Sequence, residues 1–254
     1  MKNYTLLNFF TVLRCSGCDE IFKLGREGNA VLCAECNSKF ETEKQRCCPS
    51  CSLMASLCRC VPKNIRAVGC NTLIKIGFYD PDSAGVTERL ILDQKDNPNR
   101  YRSLFLAEQL SARLRAYLIN EKKSLSDVII TYAPRSQKAV IEKGFDQAEI
   151  LARLCAKNIG CHFGVLFVRS PNAKQQKELD SSDRIENAKR SFALKRADIS
   201  KTSTVVIVDD IVTTGASLSA CVALLKKAGV ENIVCLAVAQ TNKINHNTSQ
   251  NSKK

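Results

Sequence analysis

Two adjacent carboxylates, Asp209 and Asp210, stand where the apolar, β-branched run from Thr204 to Val208 ends. The turn Thr213-Thr214-Gly215-Ala216-Ser217 follows shortly after them. A carboxylate pair accepts hydrogen bonds from sugar hydroxyls and holds Mg²⁺ through oxygen. The turn offers hydroxyls and closely approachable backbone N–H groups at a helix start, which together cradle a phosphate. The acids would repel that phosphate, so they must serve another part of the same ligand. A ligand with a phosphate at one end and a diol at the other is a ribose 5-phosphate. A buried strand leading into an ordinary capped helix accounts for the valines, but not for two acids beside this turn.

A second set of reactive side chains lies in the first quarter of the chain. Ten of the fourteen cysteines precede residue 71, and eight form close pairs: Cys15/Cys18, Cys33/Cys36, Cys48/Cys51 and Cys58/Cys60. A C-x-x-C or C-x-C turn presents two thiolates to one tetrahedral ion at about 2.3 Å. The fourteen residues between the first two pairs are close to zinc-ribbon spacing. A disulfide framework requires an oxidising compartment, and four consecutive pairs are too many for one redox motif. The pattern therefore implies one or two structural zinc ions. Sequential assignment gives Cys15, Cys18, Cys33 and Cys36 to one ion and Cys48, Cys51, Cys58 and Cys60 to the other. A crossed arrangement remains open, and Cys47 competes with Cys48. Such a site has no open position, so its metal is structural.

Arg135, Lys138 and Lys143 form a third set, in what reads as the loop after a strand ending near Tyr132. Cations there suit a pyrophosphate, and Arg135 can grip it with two parallel N–H groups. A solvated basic loop has the same composition. His162 and His246, the only histidines, have no partner suggesting a role.

The elements that must position these groups alternate between strand and helix. Ile65 to Tyr79 reads as one or two strands. Leu106, Leu110, Leu114 and Leu118 mark a helix over about 102–118. Asp127 to Tyr132 is a strand, and Asp146 with Glu149 starts a capped helix that Gly160 ends. Val165 to Val168 is a short strand. Leu218, Val222 and Leu225 belong to the helix after the acid turn, closed by Gly229, and Ile233 to Val238 is the next strand. Alternation of this kind predicts an α/β fold with a doubly wound, mainly parallel sheet. In such sheets ligands bind at the carboxyl ends of strands. The charged run from Arg169 to Phe192 reads as a lid or a surface excursion.

The expected division is a cysteine-rich head over residues 1–64, an α/β domain over 65–240 and a disordered Asn/Ser/Lys tail over 241–254. The net charge of +13 favours phosphate-rich partners. No stretch approaches the ~20 apolar residues of a membrane span. Lys2 followed by the apolar run from Leu6 to Leu13 imitates a secretory leader. Asn8 and Thr11 interrupt it, however, and Arg14 occupies the place of a small cleavage residue. A short packed helix and a cytoplasmic protein are expected.

The run from Thr204 to Ser217 resembles the phosphoribosyl-pyrophosphate (PRPP) signature of type I phosphoribosyltransferases. The resemblance implies that Asp209 and Asp210 take the ribose diol, as the catalytic pair, and that Thr213 to Ser217 take the 5′-phosphate. Pro134 followed by Lys143-Gly144-Phe145-Asp146-Gln147 is similar to the ComF family, which usually has Arg-Gly-Phe-Asn-Gln there. Gln176, Leu179, Arg184, Asn187 and Phe192 also fall at that family's spacing. With the paired cysteines the resemblance covers Cys15 to about Gln240. Lys143 in place of arginine loses two-pronged geometry, and Asp146 in place of asparagine is a milder departure.

This resemblance implies a double zinc ribbon joined to a phosphoribosyltransferase-like domain, with links to DNA uptake. One implied function is a Mg²⁺-dependent enzyme of DNA uptake or nucleotide metabolism that transfers phosphoribosyl from PRPP to an acceptor. Arg135, Lys138 and Lys143 would then meet the departing pyrophosphate. The alternative is a non-catalytic module that keeps the PRPP site as a sensor while binding single-stranded DNA or DNA-uptake proteins. Ten Phe and five Tyr, not interleaved with the basic residues, give few stacking platforms for bases.

Overall fold

The computed structural model describes residues 14–22, 31–80, 82–96, 99–169, 191–195 and 199–241. Its centre is a five-stranded parallel sheet built from β1 (Leu73–Tyr79), β2 (Val128–Tyr132), β3 (His162–Phe163), β6 (Thr204–Val212) and β7 (Asn232–Thr241). The spatial order is β1-β7-β6-β2-β3. A separate antiparallel pair joins β4 (Phe167–Arg169) to β5 (Phe192–Leu194).

Helices cover both faces. The alternation of β6 divides its side chains: Val206 and Val208 join one core, Val205 and Ile207 the other. The first core receives α3 (Val86–Asp96), α4 (Arg100–Asn120) and α6 (Gln147–Ile159). The second receives α2 (Lys63–Ala67), α7 (Ala216–Lys227) and the β4–β5 pair. This is the doubly wound α/β sheet that the alternating pattern implied. Leu218, Val222 and Leu225 of α7 are completely buried, each contributing roughly 1.5–3 kcal/mol through apolar burial.

The caps explain where the helices start. Asn99 accepts from the N–H groups of Tyr101 and Arg102 at the head of α4. Asp146 does the same for Ala148 and Glu149 at α6, and Gly160, at φ +80°, ends that helix. The reciprocal half of a capping box is replaced, because the Glu149 carboxylate accepts from Tyr132 Oη and Arg153 instead.

Three segments depart from the sequence-based expectation. Ile65 lies in α2 and not in a strand; Pro62 precedes the helix and Gly69, at φ +85°, follows it. Lys138 and Lys143 ride on a short helix, α5 (Gln137–Lys143), and not on a loop; Ser136 caps it and Gly144, at φ +78°, ends it. Helix α3 has no expected counterpart. Its N–H groups at Val86 and Thr87 are capped from a distance by the Glu43 carboxylate.

The head is integrated with the sheet. After α1 (Ala34–Glu43), Phe40 stacks obliquely on Phe105, and Cys15, Leu32 and Cys36 share the first core with Leu90 and Leu106. Cys48, Ala55, Cys58 and Phe78 form a small core of their own. Among the described residues no helix is long and apolar enough to cross a membrane. The apolar run before Arg14, Gln176, Leu179, Arg184, Asn187 and the tail beyond Thr241 lie outside the described residues.

Candidate functional site

The strand order creates the site. From β2 the chain winds outward to β3, whereas from β6 it winds the other way to β7. The reversal lies between β2 and β6, so the loops at their carboxyl ends part and leave a crevice. The loop after β2 carries Arg135, and the end of β6 carries Asp209 and Asp210.

These groups meet. The Arg135 guanidinium donates to Asp210 Oδ2 at 2.6 Å, with both side chains about five-sixths buried. The Arg135 backbone N–H donates to Asp146 Oδ2 at 2.8 Å, which ties the β2 loop to the start of α6. Asp209 Oδ1 accepts from the Asp210 N–H, and Asp210 Oδ1 from that of Ile211. Asp209 retains a little accessible surface but is deeply surrounded. Burial, then the adjacent Asp210 charge, hold its carboxyl well above the ordinary carboxylate range. Asp146 is also raised, chiefly by burial, although the N–H groups of Arg135 and Glu149 act against the shift.

Thr213 to Ser217 form the tight turn into α7, with Gly215 at φ +74° as the N-cap. Glycine has no side chain with which to cap the helix N–H groups. Ala216 N–H has a long contact of 3.4 Å to Thr214 Oγ1. A side chain at position 215 would strike Ile65 at 2.9 Å.

The remaining cations are less central. Lys138 faces Glu142 at 3.8 Å along exposed α5, and Lys143 occupies the last turn of that helix. Three residues that the sequence reading did not assign to the site also border it. In the sequence Asp146 reads as a helix cap and as a position of the ComF-like motif, but not as a site residue. Arg169 lies on β4 with its guanidinium 5.1 Å from the centre of the Phe192 ring. Burial lowers its pKa while Cys221, Asp209 and Asp146 act in the opposite direction, and its Nε has no hydrogen-bond partner. Asn64 Nδ2 donates to the Thr214 carbonyl at 3.0 Å across 150 positions of sequence.

Both cysteine sets come together sequentially. The ligand atoms of Cys15, Cys18, Cys33 and Cys36 lie within 4.8 Å of one another, as do those of Cys48, Cys51, Cys58 and Cys60. Two such groups of sulfur donors could each hold a metal ion, and tetrahedral zinc suits them. Backbone N–H groups of Cys33 and Gly17 point at Cys15 Sγ, at 3.2 and 3.4 Å. Burial raises the Cys15 thiol, but these donors outweigh it and bring it down to about 7. Cys47 is exposed and belongs to neither group.

The phosphoribosyl transferase domain family matches residues 139–252. Competence protein ComFC of Streptococcus pneumoniae is 26% identical over 214 residues, covering 82% of this chain and 87% of that protein. The chain is similar to competence proteins of the ComF kind over most of its length. Competence protein F of Haemophilus influenzae is 23% identical over 236 residues, covering 89% of this chain and 90% of that relative. This chain also aligns with the solved adenine phosphoribosyltransferase of Trypanosoma brucei at 13% identity and a TM-score of 0.36. That alignment covers 57% of this chain and 67% of the other. The parallel sheet and the domain match define a type I phosphoribosyltransferase-type fold, preceded by cysteine clusters compatible with a zinc ribbon.

Proposed function

We propose that this chain binds Mg²⁺·PRPP and acts as a phosphoribosyltransferase-like protein in DNA uptake or nucleotide metabolism. The observation that carries the reading is the meeting, at the β2/β6 crevice, of the Asp209-Asp210 pair, Arg135 and the glycine-capped turn at α7. The turn takes the 5′-phosphate on the N–H groups that no side chain caps. Asp209 and Asp210 accept the two ribose hydroxyls. In the structure Arg135 neutralises Asp210. When the diol engages Asp210, that guanidinium turns to the pyrophosphate, where its charge meets the negative charge developing on the leaving group. Lys138 and Lys143 on α5 add positive potential at the same mouth. Asp209 and Asp210 also supply the oxygens that would hold Mg²⁺, which offsets pyrophosphate charge when bound.

The names of the relatives support a role in handling incoming DNA, and the charge of +13 supports contact with nucleic-acid phosphates. They favour a second reading, in which the same site senses PRPP while another surface binds single-stranded DNA. Calorimetric titration of zinc-loaded protein with PRPP, with and without Mg²⁺, tests the common element. Magnesium-dependent binding that disappears in the Asp209→Asn/Asp210→Asn double variant is the expected result. A folded protein that binds no PRPP refutes both readings of the crevice.

A further inference from the structure

The turn into α7 is held by residues about 150 positions earlier in the sequence. Asn64 Nδ2 donates to the Thr214 carbonyl, and Ile65 and Pro62 close against the flat face of Gly215. A Cβ there would meet Ile65 Cγ1 and Cδ1 at 2.9 Å and Pro62 Cβ at 3.3 Å. All three residues belong to the short stretch that leaves the second cysteine cluster, since Cys60 stands only two positions before Pro62. That stretch is anchored at its other end as well. Lys75, fully buried in β1, donates to the carbonyls of Cys58 and Cys60 at 3.5 and 3.4 Å.

We propose that α2 couples the second cysteine cluster to the phosphate turn, with Asn64 as the positioning residue. A metal ion held by Cys48, Cys51, Cys58 and Cys60 fixes the chain that carries Asn64. Asn64, with Ile65 behind it, then fixes Thr214 and Gly215 in the conformation that receives a phosphate. The first cluster packs against α3 and α4 and makes no such connection among the described residues. Coupling of this kind is reciprocal: metal at the second cluster raises the affinity of the turn for its ligand, and the ligand raises the affinity of that cluster for metal by the same factor. The ligand half rests on the reading above that the turn takes a 5′-phosphate. The mechanical half does not.

Two measurements on the full-length, zinc-loaded protein separate the halves. The first follows amide hydrogen exchange of residues 213–218 without ligand. Cys51→Ser releases metal from the second cluster, Cys18→Ser does so from the first, and zinc content is measured for each. Exchange is expected to rise in Cys51→Ser and in Asn64→Ala, by about five-fold if one ordinary hydrogen bond is lost, and to stay unchanged in Cys18→Ser. Asn64→Asp sets an acceptor against the Thr214 carbonyl and should exchange at least as fast as Asn64→Ala, whereas a packing role alone would leave it like wild type. Unchanged exchange in Cys51→Ser after metal loss, or an equal rise in Cys18→Ser, overturns the coupling. The second measurement is an equilibrium competition for zinc with a chelator, with and without ribose 5-phosphate. The sugar phosphate should tighten the second site alone, and Asn64→Ala should abolish the effect. If wild type binds no ribose 5-phosphate, the reading of the turn fails, and the exchange data still decide the coupling. If it binds and leaves zinc affinity unaltered, the coupling fails.

Discussion

Lys75→Met should loosen metal at the second cysteine cluster and leave the first untouched. Lys75 sits in the middle of β1 with no accessible surface. Its Nζ is 3.3 Å from Cys58 Sγ, and it donates to the Cys58 and Cys60 carbonyls. Its charge also lies 5.4 Å from the Phe78 ring centre. Burial pushes the Cys58 thiol up, and the Lys75 charge is the strongest influence in the other direction. A tetrathiolate around a divalent ion carries net negative charge, so a buried ammonium is its natural counter-ion. At an effective dielectric of about 20 the attraction across this separation is about 5 kcal/mol before solvation, and desolvation of the ammonium offsets much of it. Loss of comparable outer-shell partners weakens metal binding about 10- to 100-fold, or about 1.4–2.7 kcal/mol. Methionine keeps most of the length and the contact with Phe78 while removing the charge and the donors. Competition with a chromophoric chelator resolves the two sites. The expected result is a 10- to 100-fold weaker second site. An unchanged second site refutes the counter-ion argument, and equal weakening of both sites would assign Lys75 a general role in stability.

Two further perturbations bear on the crevice. Asp209→Asn should stabilise the fold at neutral pH. The Asp209 carboxyl is held above its ordinary value by burial and by Asp210, so the native state keeps its proton to higher pH than the unfolded chain. Stability from this group is complete below the ordinary carboxylate pKa and is lost as pH rises through the raised one. The variant's gain in Tm should therefore grow from pH 4 to pH 8, and a gain independent of pH would contradict the assignment. Arg135→Met removes the partner of Asp210 from a largely buried pair and should cost about 2 kcal/mol in urea denaturation. Asp210→Asn in the same background should recover part of that loss, because the stranded charge disappears; no recovery would mean that the pair is energetically idle.

Part of this protein is legible in its sequence because the signals are local. Val205 to Val208 announce a buried strand, leucines every four residues announce α4, and Asp146 and Gly160 bracket α6. The acid pair and the glycine turn lie within one short run, Asp209 to Ser217, so reading them together needs no knowledge of the fold. The sequential grouping of cysteines has the same origin, because short loops bring successive pairs together. Periodicity says less about Ile65, whose short helix is set by Pro62 and Gly69, and about α3, whose cap is supplied by Glu43 from the head.

What the tertiary structure alone decided is partnership. The strand order that sets the β2 loop beside β6 puts Arg135 on Asp210, 75 positions away. The same packing brings Asn64 to Thr214 and buries Lys75 against Cys58. The local pattern marks Arg135 as a cation suited to a pyrophosphate but not as the partner of Asp210, and it marks neither Asn64 nor Lys75, since asparagine and lysine also suit solvent. Their roles arise from complementarity between surfaces far apart in sequence, which a one-dimensional period cannot encode.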